Sequence, residues 1–454
     1  MRLCFRRTFA VTFIIPFMIP FMPTTQAQQT SALPQWEGEA PAARPLTLDA
    51  AIAVALKNAP RLQAANYLTE AAKQRVNAAR AGQATQWEGV GGYELAPRYQ
   101  VPQGFTARVA LKKTLYDGGQ TKALVQQAEA DVHSHQAQYA AAQLDVILAV
   151  KQAFYDVLYY QQLARLKREA VAQAEGYVAL AKGLFEKGQV PERDIVQAQA
   201  VLALAQAEVE SAEGLVKAAQ ADLRSAMGLA WDAPLEITGA LSPPEPLPDV
   251  QTFIEQAMRQ HPALQQAQAE VTAAEAAVRV AESQRKPVVA LRTTGGVQER
   301  ALPPKRGLFL FDATVRIPLR DGGQRKAARA EAQAHLAHAA ATLEQIKRDL
   351  ERKVIQAWHL AQAAQRKVES ATHALLPAQE NLRLAEAQYH AGVGTLLGIK
   401  DAQLDWLKAL HNRIEAIYAY RQAEAQLYHA AGLMPAHRAS VRDAATQREQ
   451  SAKG

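Results

Sequence analysis

One stretch of this chain is written twice. Asp117-Gly118-Gly119-Gln120 returns as Asp321-Gly322-Gly323-Gln324, a step of 204 residues, and the same step carries Gly188 to Gly392, Phe154 to Trp358 and Gly228-Leu229 to Gly432-Leu433. Asn58-Ala59-Pro60 pairs with Gln260-His261-Pro262 at a step of 202, so only a couple of residues were gained or lost between copies. A period this long is not that of a solenoid; it describes two related halves, one structural unit used twice.

Composition narrows what that unit is. Hydrophobic residues make up 49% of the chain but aromatics only 6%, and much of the apolar share is Ala set among Gln, Glu, Lys and Arg. Such a mixture favours long helices that meet through small side chains rather than one bulky core. The first 27 residues read as an export signal: Arg2, Arg6 and Arg7 precede an apolar run from Phe9 to Met22, and Thr25-Gln26-Ala27 supplies a small-residue cleavage site. Pro16, Pro20 and Pro23 break that run as a membrane helix, and no other stretch is long and apolar enough to span as one. Cys4 falls inside the signal, so the exported chain is expected to carry neither a disulfide nor a lipid-bearing first cysteine. Removing the three signal arginines lowers the formal charge from +7 to +4, and the remaining Lys and Arg are mixed with acids along helices. A nucleic-acid partner needs a clustered basic face and is not expected.

Helical periodicity predicts a first repeat over 47–230: a helix over 48–84, a long helix over 118–187, a turn at 188–191 and a helix over 192–228. A second repeat over 249–434 follows: a helix near 249–285, a long helix over 323–390, a turn at 392–395 and a helix over 396–431. Residues 28–46 read as a disordered leader, 231–248 as a proline-rich connector and 435–454 as a disordered tail. Runs of about 70 residues exceed any ordinary globular helix and imply coiled-coil packing. At about 1.5 Å per residue each spans roughly 100 Å, which two of the shorter helices stacked end to end would match.

Between each first helix and long helix the period changes from 3.6 to 2. In 86–116, Trp87, Tyr93, Val109 and Leu111 alternate with Glu88, Glu94, Arg108 and Lys112; in 287–319, Leu291, Val297, Phe309, Phe311, Val315 and Ile317 alternate with residues such as Asp312, Thr314 and Arg316. Segments of about ten residues with strict alternation suit membrane β-barrel strands, with those ten apolar residues facing lipid. A hairpin capping a soluble helical bundle gives the same pattern, which leaves open a periplasmic coiled-coil adaptor or scaffold without a barrel. Four strands cannot close a barrel, so insertion requires self-association.

Two halves, each helix–hairpin–long helix–turn–helix with an Asp-Gly-Gly-Gln turn opening the long helix, resemble the TolC-like outer-membrane efflux protein family over about residues 46–434. The resemblance implies a mostly α fold with a membrane β-barrel contribution: a homotrimer with a twelve-stranded barrel in outer-membrane lipid and a helical tunnel through the periplasm. It further implies a passive duct served by an inner-membrane transporter and a periplasmic adaptor (membrane fusion) protein. On this likeness Gly188, Gln189, Val190 and Asp194, with Gly392, Val393, Gly394 and Thr395, are the tip residues that meet the adaptor. The family narrows its tunnel with aspartate rings beyond the second turn; here Asp401 holds one such position, Gly398 replaces the other, Gly394 replaces a tethering arginine, and Asp405 lies one helical turn on. No phosphate loop, nucleophile elbow or dinucleotide fingerprint occurs. The pairs His133/His135 and His335/His338 lack a supporting carboxylate shell, so neither metal, cofactor nor enzyme activity is expected.

Overall fold

The computed structural model describes residues 45–94, 104–188, 190–299, 307–390 and 393–433. The expected signal and tail, most of the leader, Gln189 and Gly392 lie outside the described residues. The first repeat runs α1 (Leu48–Asn58), α2 (Pro60–Arg80), β1 (Gln86–Glu94), β2 (Gly104–Tyr116), α3 (Gln120–Glu186) and α4 (Glu192–Met227). The second runs α5 (Val250–Gln260), α6 (Pro262–Ser283), β3 (Val288–Glu299), β4 (Gly307–Arg316), α7 (Gln324–His390) and α8 (Leu396–Ala430).

Three expectations on extent are corrected. The helices read as continuous over 48–84 and 249–285 each break before a proline, at Ala59-Pro60 and His261-Pro262. Proline at a first helical position has no N–H to offer and pushes the preceding residue into extended geometry, here Ala59 at ψ 118 and His261 at ψ 128. Leu46, read as leader, is buried and bridges Ile237 of the connector through its backbone. Ile317 lies one residue past β4, because Pro318 cannot extend the ladder.

The two long helices, α3 and α7, have 67 residues each. α3 is flanked at one end by α2, through Arg80–Glu129 at 2.8 Å and Arg61–Asp145 at 2.7 Å, and at the other by α4, through Lys167–Glu208 and Arg168–Glu213, both at 2.7 Å. The two shorter helices meet where the chain reverses. Gly228 takes φ 68 against Asn58, where an added Cβ would come within 2.9 Å of the Asn58 carbonyl oxygen. In the second copy Gly432 takes φ 70 against His261, whose ring an added Cβ would meet at 2.9 Å. The duplicated Gly-Leu and X-Pro signatures are therefore the two sides of one joint.

The halves are sewn together along α3 and α8. Tyr418 and Gln422 donate to Asp156 at 2.7 and 2.8 Å, His429 meets Asp145 at 2.8 Å, and Gln403 bonds Gln173. The core lies at mid-length, where Ile147, Val150, Phe154, Val157 and Leu158 of α3 pack with Ile52, Leu223, Met227, Ile417 and Tyr420. The connector lies over it: buried Arg421, paired to Glu424 at 2.8 Å, donates to the Ser242 and Pro243 carbonyls, and Trp358 donates to Pro248 at 3.0 Å. Phe154 and Trp358, equivalents across the repeat, both sit beneath this connector, the former against Gly239.

Candidate functional site

Both hairpins join one antiparallel sheet in the order β1-β2-β3-β4, with β1 and β4 at its edges. Partners directly opposite share a face, and Trp87↔Leu111, Gly89↔Val109, Leu111↔Thr293, Val109↔Gly295, Thr293↔Phe311 and Gly295↔Phe309 chain the first face together. Ala107↔Val297, Leu291↔Ala313 and Val289↔Val315 extend it, and Tyr93 holds its register position opposite Phe105. Apart from Lys113 opposite Leu291 and Glu299 opposite Phe105 by register, this face is largely apolar, and it is open: Trp87 is 71% exposed, Phe309 74% and Phe311 66%. The equivalents Trp87 and Leu291 keep their face although their partners are offset by two residues between copies, Leu111 against Ala313 where a strict repeat would place Val315. An even offset preserves the face; an odd one would have inverted it.

The opposite face is polar. Glu88, Lys112 and Thr114 with Ala290, Arg292, Asp312, Thr314 and Arg316 line a hollow of about 790 Å³, and Thr106, Arg108 and Thr294 continue it. The sheet is bonded to its helices by two matching turns. Asp117 accepts from the Gly119 and Thr121 amides at 3.0 and 2.8 Å, and Asp321 from those of Gly323 and Arg325 at 3.1 and 2.8 Å. Gly118 and Gly119, like Gly322 and Gly323, take the positive φ these turns need. Burial works against the Asp117 charge, yet the Thr121 and Gly119 bonds hold its carboxyl below the usual range. The Arg325 amide bond does the same for Asp321.

At the far end of the long helices the two predicted turns come together. Gly188 reverses the chain at φ 71, Val190 is half-buried, and Pro191 opens α4. In the second turn the Val393 and Gly394 amides both donate to the Gln388 carbonyl, and Thr395 caps α8 by accepting from the Gly398 amide at 3.1 Å. Asp194 and Thr395 line one cavity of about 340 Å³ with Tyr177, Gln197, Lys400 and Gln403. Burial, with Glu386 adding to it, pushes the Tyr177 phenol up to about 12, so it serves there as a neutral hydroxyl. Tyr177, Gln197 and Gln403 carry no motif; spacing alone does not select them from dozens of similar helical residues. Asp401 and Asp405 are both exposed on α8, while Ile399, Ala402 and Gln403 turn inward; neither aspartate pairs with Lys400 or Lys408 among the described residues. Among the same residues no cluster of three metal-ligating side chains occurs and no helix is long and apolar enough to cross a membrane.

An open-edged sheet with one open, largely apolar face, set on helices of 67 residues with paired turns at their far end, defines a channel subunit whose membrane element is β rather than α. The chain belongs to the outer membrane efflux protein family, which matches residues 51–229 and 253–433, one segment in each half. It is therefore an outer-membrane efflux or secretion channel protein. It is 27% identical over 333 residues to protein CyaE of Bordetella pertussis, covering 71% of this chain and 70% of that one. The outer membrane protein VceC of Vibrio cholerae superposes with a TM-score of 0.72 at 20% identity, over 85% of this chain and 96% of that one. The MtrE outer membrane channel of Neisseria gonorrhoeae superposes at 0.73 and 18%, over 85% and 89%. These structures share its TolC-like fold of helical tunnel and strands.

Proposed function

We propose that three copies of this chain assemble into a passive duct, with a twelve-stranded barrel in the outer membrane and a helical tunnel across the periplasm. Substrate enters from an inner-membrane transporter through a periplasmic adaptor. The observation that carries this reading is the sheet: a largely apolar, open face beside two strand edges that no other strand covers among the described residues. In lipid each unpaired backbone group costs several kcal/mol, and pairing β1 of one copy with β4 of the next removes every such edge. Trp87, Tyr93, Val109, Leu111, Leu291, Val297, Phe309, Phe311 and Val315 then face lipid, and Ile317 lies at the border of the barrel and the helices. Strand lengths of 9 to 13 residues suit a tilted span of the hydrocarbon layer.

The tip turns are the adaptor contact. Gly188, Val190 and Asp194 of one turn and Val393, Gly394 and Thr395 of the other present that contact, and Gln189 and Gly392, outside the described residues, are its remaining candidates. Asp401 and Asp405, exposed one helical turn apart, narrow the tunnel mouth as rings of carboxylates. A wholly periplasmic scaffold leaves Phe309 and Phe311 in water without a role, which ranks it second.

Fractionation with heated and unheated gels tests the duct. We expect the chain in outer-membrane fractions and an SDS-resistant oligomer that heating converts to monomer; a soluble monomer with no heat-dependent migration would sink the proposal. Gly188→Pro, which cannot reach φ 71, is expected to abolish export and leave the oligomer intact, whereas loss of the oligomer would make that turn a folding element.

A further inference from the structure

The polar face of the sheet carries an imbalance that the duct alone does not require. Among the described residues it holds, by register, four cations, Arg108, Lys112, Arg292 and Arg316, against three carboxylates, Glu88, Glu94 and Asp312. The carboxylates sit on the edge strands β1 and β4; the central pair β2 and β3 presents cations alone. Lys112 and Arg292 are direct register partners, flanked in the same row by Gln86 and Asp312. Like charges directly opposite on adjacent strands destabilise a sheet, so stability alone would not place them there. Asp312, the nearest opposite charge, accepts from Thr314 at 3.1 Å, and among the described residues Lys112, Arg292 and Arg316 make no ion pair. Their charge is left to act on the hollow they line.

We infer that this face is an anion-selecting collar, and that the duct favours anionic solutes at its barrel entrance. The inference rests on the proposed trimer, in which the polar faces of three sheets enclose the lumen. Each chain then contributes 4 − 3 = +1 from these residues, and three chains 3 × 1 = +3. Lys112, Arg292 and Arg316 lie toward the strand ends that join the helices, since β2 runs into the Asp117 turn and β3 leaves α6. The collar thus sits where the tunnel opens into the barrel. A ring of like charge lining the lumen biases the sign of the ions that enter there, because a low-dielectric wall weakens screening. Solutes bearing carboxylate or phosphate groups are the class this collar admits.

Reversal potentials of the purified full chain in planar bilayers under a potassium chloride gradient test this directly. The wild-type chloride-to-potassium ratio sums the collar with the Asp401 and Asp405 rings at the tunnel mouth, so the readout is the change in that ratio when the collar alone is altered. Lys112→Glu with Arg292→Glu is expected to lower the chloride-to-potassium permeability ratio by about fivefold or more, and Asp312→Asn to raise it. Should the double reversal fail to assemble, Lys112→Gln with Arg292→Gln reads the same effect with a smaller fall. An assembled double variant with an unchanged ratio overturns the collar while leaving the duct standing. No conductance from the wild type removes the duct and the collar together.

Discussion

His261 shows how one residue differentiates two copies of the same joint. Its counterpart at a step of 202 is Ala59, which offers α2 no side-chain cap, whereas His261 Nδ1 accepts from the Ala263 amide at 3.1 Å. Accepting there requires an unprotonated Nδ1. Burial, helped by His429 and Lys353, pushes its pKa from 6.5 down to about 4. The unfolded chain therefore takes up a proton first as pH falls. Stability from this residue is fully present above pH 6.5, is lost progressively down to about pH 4 and is flat below. Thermal melts are expected to show that slope, up to about 3 kcal/mol across the window. His261→Asn, which keeps a capping side chain, should flatten it; an unchanged slope would assign the pH dependence elsewhere.

Gly296 plays the matching part for an element, because it lies in the seam that joins the hairpins of the two halves. A Cβ there would fall 2.3 Å from the Ala107 carbonyl oxygen and 2.7 Å from the Arg108 Cα, both backbone of β2. Gly89, on the edge strand, has nothing within 4 Å. Gly296→Val is expected to lower the temperature at which the oligomer dissociates in SDS, at a cost of about 1–3 kcal/mol per chain from overpacking, and Gly89→Val to leave it nearly unchanged. Equal effects would mean that β2–β3 contact does not limit assembly. Alternation exposed the strands and their faces from the residues alone, since side-chain direction follows parity. The break at Ala59-Pro60 was also visible, because proline marks a helix boundary, but the strong apolar period on both sides hid it. What residue order could not supply was the two-residue offset between hairpins, the Lys112–Arg292 opposition and the tip cavity around Tyr177. Each depends on which distant segments become neighbours. Asp401 is the converse case: its position follows from the resemblance, while its exposure and lack of an ion pair come only from the fold.

At the scale of the whole molecule, duplication has produced a chain that is finished along its helices and unfinished along its sheet. α3 is flanked by neighbours over its length and the core at mid-length is buried, yet among the described residues β1 and β4 end the sheet without a partner strand. In the proposed assembly these two edges pair with each other between copies. Cys4, the single cysteine, lies in the expected signal, so introduced thiols report on contact without background. Gly92→Cys on β1 can be combined in turn with Leu310→Cys, Asp312→Cys and Thr314→Cys on β4, all of the same sheet face by register. Oxidation of each in outer membranes, followed by a non-reducing gel after heating, reads the contact. At least one pairing is expected to yield a covalent species of three chains that reduction returns to one; monomers alone from every pairing would mean that β1 and β4 do not meet between copies.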